Sequence, residues 1–574
     1  MMQAFGDQMM KTKASRFLFY LLCFLVIFIT TETLFSCDDS IVPGVPNDPG
    51  VSDNPGGTNN PDKPNNPGES SNPGGSSSPG GSSNPAELPP GFHVTTTGAA
   101  GGSGALADPW DLQTALNHPS AVKPGDIIYI HEGTYYGAYV SKLNGTAGKA
   151  ITVCPWYDET VIIDSCKDVG GLTATLEFNG SCTYIMGLTI MNSNPDHYVP
   201  NANGLEGVRY FGSNNKLINC VIHDNTGNGI GFWSSAVGSE VAGCIIYHNG
   251  TINPDRGHGH GLYVQNDSDT YKLIHDNIIF NSFGKGAQIY GTSVGVRNVK
   301  MTNNVIFNSA LAASNSIEQG IYAGGEKPVN NIILNDNIFY VSPQYNMAVS
   351  AKFGHENVQN GYGEFKNNIC IDAYLHITKN WDKITTRNNA YISKSSKTRM
   401  VFGFDVLTNV TARDYDQNKY YLGEIGENGG TWNGFTLYPL STIQNNPFNP
   451  AYSTELNSVY YDALPTEDLI VVQPNPYQSG RAHITIHNWT GKSKVSVDVS
   501  SILSPGDMYE LYDVTYLSGG PIIASKYSGA PIEIPMNLSN VDMPIGLTSG
   551  LDRFKNTAPD FGVFLLKRVT ETPK

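Results

Sequence analysis

The sequence predicts an all-β protein in which a long solenoid of stacked parallel strands, a parallel β-helix, is followed by a small antiparallel β-sandwich. Three observations predict it. A short apolar motif led by Asn, Asp or Gly recurs at steps of about 20 to 33 residues. A second alternating segment lies between successive copies, and the pattern changes from about residue 468. Helix signals are nearly absent from the repeated region, which argues against a mixed solenoid.

The first 36 residues are predicted to be a secretory signal peptide. Three basic residues precede an apolar run over residues 17–29, which is too short to span a bilayer comfortably. The following Leu-Phe-Ser-Cys of residues 34–37 resembles a bacterial lipobox, which implies acylation of Cys37. The acidic pair Asp38 and Asp39 is similar to the surface-export signal of Bacteroidetes lipoproteins. An ordinary signal peptide with an incidental cysteine is the alternative.

Residues 37–90 are predicted to be a disordered tether. They consist almost wholly of Gly, Pro, Ser, Asn and Asp, a composition that cannot bury a core. A tether behind a lipid anchor would hold the folded part away from a membrane. We therefore expect a secreted, lipid-anchored protein at the outer membrane or cell surface, with membrane lipid as a partner through Cys37.

Charge and cysteine content restrict the partners further. The formal net charge of −16 repels polyanions at long range and argues against nucleic acid as a partner. An anionic substrate would need a local basic patch. Of eight cysteines, the six beyond Cys37 show no metal-binding spacing. Cys166 and Cys182 could pair, but buried free thiols in stacked coils are equally compatible with the spacing. We expect a monomer.

The repeats set the solenoid. Copies of the first motif occupy residues 219–225, 243–249, 276–281, 303–308, 336–340, 367–371 and 388–391. The second strands occupy residues 229–233, 261–265, 287–290 and 320–323. Asn recurs at one turn of the coil, where it tolerates the left-handed conformation and bonds neighbouring backbone. Stacked coils are expected to align these residues as an asparagine ladder.

The segment from residue 103 to 164 carries the start of the solenoid. Leu112, Ala115 and Leu116 lie on one face of a short predicted helix that could plug the open end, and Pro124-Gly125-Asp126 is a turn into the first strand. These residues resemble the opening of right-handed parallel β-helix proteins of the pectate-lyase type. The resemblance covers most of residues 91–445 and implies a fold, not a reaction.

Residues 446–467 are predicted to connect the β-helix to a C-terminal β-sandwich over residues 468–574. Segments 482–487 and 495–499 alternate cleanly between Gly and Pro turns, as in a small antiparallel sandwich. This part resembles the appended β-domain of secreted carbohydrate-active proteins. We expect a packing or accessory module.

Outward residues of the second strands predict a sugar-binding face. One row carries Gly231, Tyr263, Gln288, Tyr322 and Ser350, and the next carries Trp233, Gln265, Tyr290 and Lys352. Aromatic rings stack on the apolar faces of sugars and amides bond their hydroxyls. The alternative is that a loop or the C-terminal sandwich covers this surface.

Ionisable residues are densest just before one of these strands, in Asp255-Arg256-Gly257-His258-Gly259-His260. The register places His260 beside Asn228, Lys285 and Gln319 of neighbouring coils. A uronate lyase needs a base and a cation that neutralises the substrate carboxylate. We predict His260, Lys285 or Lys352 as the base and Arg256 as the neutralising cation, with His258 as a further candidate. The alternative is that His260 is a turn residue whose side chain bonds a neighbouring carbonyl group.

Three functions remain open from the sequence. The pectate-lyase resemblance implies Lys or Arg acting with Ca²⁺. Asp267 and Asp269 are the nearby candidate ligands for Ca²⁺, but their segment is equally typical of a turn. Gly259-His260-Gly261 resembles an element of polygalacturonases, whose paired aspartates are missing at the expected places. Asp224, Asp276 and Asp336 are expected to be solvated turn residues. A polysaccharide lyase is favoured over a hydrolase, and a non-catalytic glycan-binding solenoid is the third alternative.

Overall fold

The computed structural model describes residues 88–569 except 167–170, 196–203, 253–255, 311–317, 343–347, 356–357, 378–379, 395–401, 405–408, 422–430, 434–435, 439, 445–454 and 549. The predicted signal peptide, Cys37 and nearly all of the predicted tether lie outside the described residues. Among the described residues, no helix is long and apolar enough to cross a membrane.

Three long sheets form the solenoid, each with twelve strands. Successive strands of the chain pass from sheet to sheet, so neighbours within a sheet come from consecutive coils and pair in parallel, except for one antiparallel pair at the end of the second sheet. The predicted parallel β-helix is confirmed.

Each sheet is named here by its strands. Sheet 1 comprises Phe92–Val94, Ile127–Ile130, Ile151–Pro155, Thr183–Met186, Lys216–Ile218, Glu240–Ala242, Asp267–His275, Val296–Thr302, Val329–Asn335, Asn360–Lys366, Asn380–Arg387 and Asn409–Asp416. Sheet 2 comprises Tyr139–Ser141, Ala174–Phe178, Glu206–Tyr210, Ile230–Phe232, Leu262–Val264, Ala287–Gly291, Glu318–Gly325, Ala348–Phe353, Tyr374–Ile377, Phe402–Phe404, Thr431–Asn433 and Thr436–Tyr438. Sheet 3 comprises Gly133–Tyr136, Val161–Asp164, Thr189–Met191, Val221–His223, Ile245–Tyr247, Ile278–Phe280, Val305–Phe307, Ile338–Tyr340, Ile369–Ile371, Ala390–Ile392, Lys419–Tyr421 and Val459–Tyr461.

The last strand of sheet 3 corrects the predicted connector. Val459–Tyr461 lies within residues 446–467, yet it pairs in parallel with Lys419–Tyr421. Asn457 precedes the strand as in the other copies, but Ser458 stands where they carry the ladder asparagine, so the repeat pattern did not reveal this coil. Its pairing follows from the free strand edge that the preceding coil offers.

The inward side chains of all three sheets form one continuous apolar core along the solenoid. A short helix, Leu112–Leu116, closes its N-terminal end as predicted. Asp111 caps this helix by accepting a hydrogen bond from the backbone N–H of Thr114 at 2.8 Å, and Leu112, Ala115 and Leu116 are buried. A second helix, Leu440–Gln444, lies near the other end of the chain's solenoid segment.

The asparagine ladder is confirmed, and it uses two residues at each turn. The first residue, such as Asn303 or Asp336, adopts a positive φ of 57° or 59°. The second points inward, and its amide bonds the next coil, as Asn304 Nδ2 does to Asn337 Oδ1 at 3.0 Å. The ladder runs through Asn277, Asn304, Asn337, Asn368, Asn389 and Asn418. Two earlier coils have buried cysteines at this position, Cys220 and Cys244, and all six described cysteines are free.

The C-terminal domain is an antiparallel β-sandwich. Its five-stranded sheet contains Leu469–Pro474, Arg481–His487, Met508–Asp513, Ile523–Lys526 and Phe561–Arg568, and its two-stranded sheet contains Lys494–Val497 and Ile532–Pro535. The 3₁₀ segments Val514–Gly519 and Leu551–Arg553 complete it. An apolar core lies between its sheets.

The sandwich docks on the outward face of sheet 3. Residues from both parts form one buried cluster, in which Phe561 stacks on Tyr340 with ring centroids 4.2 Å apart. Four strands of sheet 3 that the sandwich covers are therefore buried on both faces: Ile245–Tyr247, Ile278–Phe280, Val305–Phe307 and Ile338–Tyr340. The docking also corrects two expectations, because Asp224 and Asp276 are not solvated. Asp224 accepts a hydrogen bond from the backbone N–H of Ile545 at 2.8 Å, and Asp276 accepts one from the side chain of Gln473. Asp336 is exposed as expected.

Candidate functional site

The outward face of sheet 2 carries the predicted sugar-binding residues. Parallel pairing stacks Gly231, Tyr263, Gln288 and Tyr322 in one row, as predicted, with Arg209 before them. We call this the outer row. Because adjacent strands lie about 4.8 Å apart, the row is a continuous groove wall along the solenoid axis.

Lys352, and not Ser350, continues the outer row after Tyr322. In the strand Ala348–Phe353, Ala351 pairs with Ile321, which brings Lys352 beside Tyr322. Ser350 instead lies beside Gly320 and is buried. The predicted second row therefore loses Lys352 and keeps Trp233, Gln265 and Tyr290, which follow the paired positions Phe232, Val264 and Ile289.

Aromatic contacts join the two rows. Ring centroids of Trp233 and Tyr263 are 5.4 Å apart, and those of Tyr290 and Tyr322 are 5.8 Å apart. Trp233, Tyr263, Gln265, Gln288 and Tyr290 are all partly exposed. The face can therefore present both aromatic rings and amides to a ligand, as the sequence predicts.

Two lysines converge on Tyr322. Nζ of Lys285 lies 5.6 Å from the centroid of its ring, and Nζ of Lys352 lies 5.5 Å from it. These residues come from three consecutive coils, and the steps between them in the sequence are 37 and 30 residues. The arrangement concentrates positive charge at one place on a chain of net charge −16.

His260 lies where the register predicts, at the start of its strand and buried. Its backbone N–H donates to Asn228 Oδ1 at 3.0 Å, and its Nδ1 accepts the backbone N–H of Lys285 at 2.9 Å. Burial, with Lys285 and Arg256 nearby, holds the pKa of His260 well below its usual value. The ring is therefore neutral, with its proton on Nε2.

This geometry changes the role assigned to His260. A neutral imidazole accepts a proton only at its unprotonated nitrogen, and that atom is already bonded to Lys285. His260 is thus a donor through Nε2 and a support for Lys285, not a free base. Gly284 allows the close contact, because a Cβ there would lie 2.5 Å from His260 Nδ1.

Arg256 and His258 lie on a hairpin that leaves the solenoid before His260. Strand Gly257–His258 pairs in antiparallel fashion with Thr251–Ile252. Arg256 and His258 both act electrostatically on His260, so they belong to the same basic cluster. Asp255 lies outside the described residues. The structure thus groups Arg256, His258, His260 and Lys285, while Lys352 joins from the far side of Tyr322.

Glu206 is a candidate that the sequence reasoning missed. Its carboxylate lies above Gly231, where it accepts hydrogen bonds from Asn228 Nδ2 at 2.9 Å and Trp233 Nε1 at 3.2 Å. Arg209 Nε is 3.0 Å from the same carboxylate. Burial raises the pKa of Glu206, and the neighbouring Glu177 raises it further. The available sequence signal was Gly231 itself, because a glycine in a row of large side chains leaves room for another group.

The acidic residues near the face do not fit a calcium ion. Asp267 and Asp269 belong to sheet 1, where they pair with Arg297 at 3.2 and 2.7 Å. Ca²⁺ requires six to eight oxygen ligands, and carboxylates held by a guanidinium are poor candidates. Within the described ranges, no group of three or more His, Cys, Asp or Glu side chains could hold a metal ion.

The fold and its sequence signature define the class. Residues 156–360 match the family described as "Right handed beta helix region". The chain therefore contains a right-handed parallel β-helix, and one outward face of it carries aromatic, amide and basic side chains. No curated protein matches the sequence.

Several solved structures are similar in fold. Pectate lyase Pel9A is 16% identical, with 57% of this chain and 78% of that chain covered and a TM-score of 0.35. The GH136 lacto-N-biosidase from Eubacterium ramulus is 14% identical, with 58% and 67% covered and a TM-score of 0.42. A rhamnogalacturonan lyase is 15% identical, with 66% and 90% covered and a TM-score of 0.44. At these identities the likeness concerns the fold alone.

Proposed function

We propose that this protein is carbohydrate-active and that the face of sheet 2 binds a uronate-containing polysaccharide and cleaves it by β-elimination. The observation that carries the proposal is the convergence of Lys285 and Lys352 on Tyr322, at 5.6 and 5.5 Å from its ring centroid. The aromatic and amide rows on either side supply the stacking surface and the hydrogen bonds that a sugar chain needs.

Charge supports an anionic substrate at this place. A negative net charge disfavours the approach of polyanions, so an anionic chain is held only where cations cluster. At an effective dielectric constant of 20, one ammonium at 4 Å attracts a carboxylate by about 4 kcal/mol before desolvation is counted. The ammonium of Lys285 and the guanidinium of Arg256, which both act on His260, make such a cluster.

The basic residues of the face and Tyr322 have distinct roles in the proposed elimination. Lys285, with Arg256, neutralises the uronate carboxylate and so makes the proton on C5 more acidic. Lys352, from the other side of Tyr322, removes that proton as the base: its neutral amine accepts the proton and becomes an ammonium. The C4–oxygen bond breaks, a C4–C5 double bond forms, and the departing oxygen takes a proton from the Tyr322 hydroxyl. His260 holds the backbone of Lys285 and does not exchange the proton.

The test is the ultraviolet absorbance of the new conjugated double bond during incubation of the full chain with uronic-acid polysaccharides. Lys352→Ala and Lys285→Ala should each lower kcat/KM at least about 100-fold, because each removes a reacting or neutralising group. Lys383→Ala is the matched control. Its ammonium also lies over a tyrosine ring, Tyr362 at 5.8 Å, but on sheet 1.

The outcome separates the alternatives. No absorbance change on any substrate would overturn the elimination. Equal losses in Lys352→Ala and Lys383→Ala would overturn the site. Retention on a polysaccharide gel without turnover would leave the non-catalytic glycan-binding solenoid.

A glycoside hydrolase is the second candidate, and Glu206 favours it. Hydrolysis needs a protonated carboxyl group beside a second carboxylate, and burial together with Glu177 raises the pKa of Glu206. This candidate predicts new reducing ends without a double bond. Loss of that activity in Glu206→Gln but not in Lys352→Ala would favour it over the lyase.

We also propose that acylated Cys37 anchors the chain to the outer membrane or cell surface. The lipobox-like residues 34–37 and the tether composition of residues 38–90 support this. Incorporation of labelled fatty acid into the wild type but not into Cys37→Ser would agree with it. Equal labelling of both would contradict it.

A further inference from the structure

Trp233 is held from two directions, at an end of the groove distinct from the lysine pair. From inside the solenoid, Lys272 reaches across to the end of the strand Ile230–Phe232. Its Nζ donates to the carbonyl oxygen of Phe232 at 3.1 Å and to that of Trp233, and it lies 4.3 Å from the centroid of the Phe232 ring. Lys272 has no solvent exposure.

From outside, Glu206 fixes the indole ring. Its carboxylate accepts the indole N–H at 3.2 Å and is itself held by Asn228. Arg209 lies on the ring, with its guanidinium carbon 5.3 Å from the centroid. Both the backbone and the side chain of Trp233 are therefore fixed by ionisable groups.

Burial of such groups is costly, and apolar replacements of similar volume commonly preserve or raise stability. Two buried ionisable groups that act on one partly exposed aromatic residue are therefore poorly explained by stability. Pre-organising an aromatic surface for a ligand explains them, because a side chain fixed before binding loses little entropy on binding.

Charge at this end differs from that at the lysine pair. Arg209 lies over the indole, but it is paired with Glu206 at 3.0 Å and bonds the hydroxyl of Thr173. Glu177 adds a second carboxyl group close enough to act on Glu206. A uronate carboxylate here would meet two acidic side chains and a cation that is already paired.

We infer that Trp233 and Tyr263 form a subsite for an uncharged sugar, so that the substrate is a heteropolymer in which uronates are separated by neutral residues. Glu206 and Lys272 are positioning residues for Trp233. The inference rests on the proposed binding of a uronate at Lys285 and Lys352. Trp233 and Tyr322 belong to strands three coils apart, about 14 Å along the axis, so the two subsites contact different sugars of one chain.

The test measures retardation of the full chain on affinity gels that contain one of two probes. Hyaluronan alternates a uronate with an uncharged hexosamine derivative, whereas polygalacturonate is uronate throughout. The wild type should bind hyaluronan more tightly. Trp233→Ala should weaken hyaluronan binding about tenfold and change polygalacturonate binding less than about twofold. Lys352→Ala should weaken the binding of both.

An equal loss of binding to both polymers in Trp233→Ala would overturn the inference. Tighter binding of polygalacturonate than of hyaluronan by the wild type, or no retardation of the wild type on either gel, would also overturn it. Failure of the proposed lyase is seen separately, as absence of the double bond with retardation retained.

The positioning residues have their own test. Glu206→Gln and Lys272→Met should each reduce hyaluronan retardation and leave polygalacturonate retardation unchanged, a selectivity that general destabilisation would not produce. Glu364→Gln is the control, since Glu364 also accepts bonds from an Asn, a Lys and a Tyr, but on sheet 1. The assignment would be contradicted if Glu206→Gln lost retardation on both gels. It would also be contradicted if Glu364→Gln lost retardation on the hyaluronan gel.

Discussion

Sheets 2 and 3 are built from the same coils, yet their outward faces differ. Sheet 3 presents Ile, Val and aromatic side chains that pack against Phe561 and Val563 of the C-terminal domain. Sheet 2 presents aromatic, amide and basic side chains that are partly exposed. The comparison teaches that one backbone supports two surfaces of different side-chain chemistry, of which the apolar one is covered by the C-terminal domain.

The largest stability effect should come from the covered face. Phe561→Ala should lower the free energy of unfolding by about 3–5 kcal/mol, because Phe561 is fully buried against Tyr340. Urea unfolding measures it. Phe211→Ala, at a side chain with 37% exposure, is the control and should cost less than about 1 kcal/mol. An equal loss of unfolding free energy in both variants would contradict the assignment of Phe561 to a covered face.

The ladder supports both faces equally. Asn337→Ala should cost about 2–3 kcal/mol, since Asn337 bonds Asn304, Asn368 and the backbone of Met301, and removal leaves buried groups unpaired. Gln359→Ala removes an exposed amide bond to Asp382 and should change stability by less than about 0.5 kcal/mol. Thermal unfolding of both variants checks this, and similar melting temperatures would refute it.

Stability of the fold should depend on pH through a cluster on sheet 1, whose strands carry His275 and Glu240. His275 contacts Glu240 at 2.9 Å and Asp276 at 2.6 Å, and its pKa is raised to about 9, while the pKa of Glu240 is lowered to about 2. Burial opposes the first shift and the hydrogen bonds to the two carboxylates outweigh it. His275 therefore stabilises the fold fully below pH 6.5 and loses this contribution as pH rises through about 9. Glu240 contributes above pH 4.5 and loses its contribution as pH falls towards 2.

His275→Gln tests the alkaline limb. The variant should be less stable than the wild type by about 1–2 kcal/mol near pH 6, and the difference should shrink above pH 9. Urea midpoints across pH measure it. A difference that stays constant with pH would show that the charge of His275 is not involved.

The smallest stability effect should come from the open face. Tyr263→Ala should change the free energy of unfolding by less than about 1 kcal/mol, because the ring is partly exposed, and yet weaken retardation on a polysaccharide gel. Loss of stability as large as in Phe561→Ala would show that Tyr263 is a core residue. Unchanged retardation would remove it from the binding face.

Much of the fold could be predicted, because each coil needs the same residue types at the same positions and these recur visibly in the sequence. Asn303 and Asn304 show why: the first must adopt a positive φ and the second must bond the next coil, so both leave a visible pattern. The coil at Val459–Tyr461 was missed, because Ser458 stands where the repeat carries its ladder asparagine and only the pairing with Lys419–Tyr421 shows the strand.

The site was only partly predictable. The register of His260 with Asn228 and Lys285 follows from stacking, and the structure confirms it. The position of Lys352 in the outer row could not be predicted, because it depends on which residue pairs with Ile321. Glu206 was invisible as a site residue, because its proximity to Trp233 depends on a gap above Gly231.

By itself the sequence determined the class of fold, the inward and outward alternation of its strands, the turn residues and the type of surface on sheet 2, because these are local properties repeated every coil. The tertiary structure alone decided which face the C-terminal domain covers, which lysines meet at Tyr322 and which nitrogen of His260 is bonded. Those outcomes depend on contacts between residues far apart in the chain, and packing of whole coils and domains selects among registers that local pattern leaves equal.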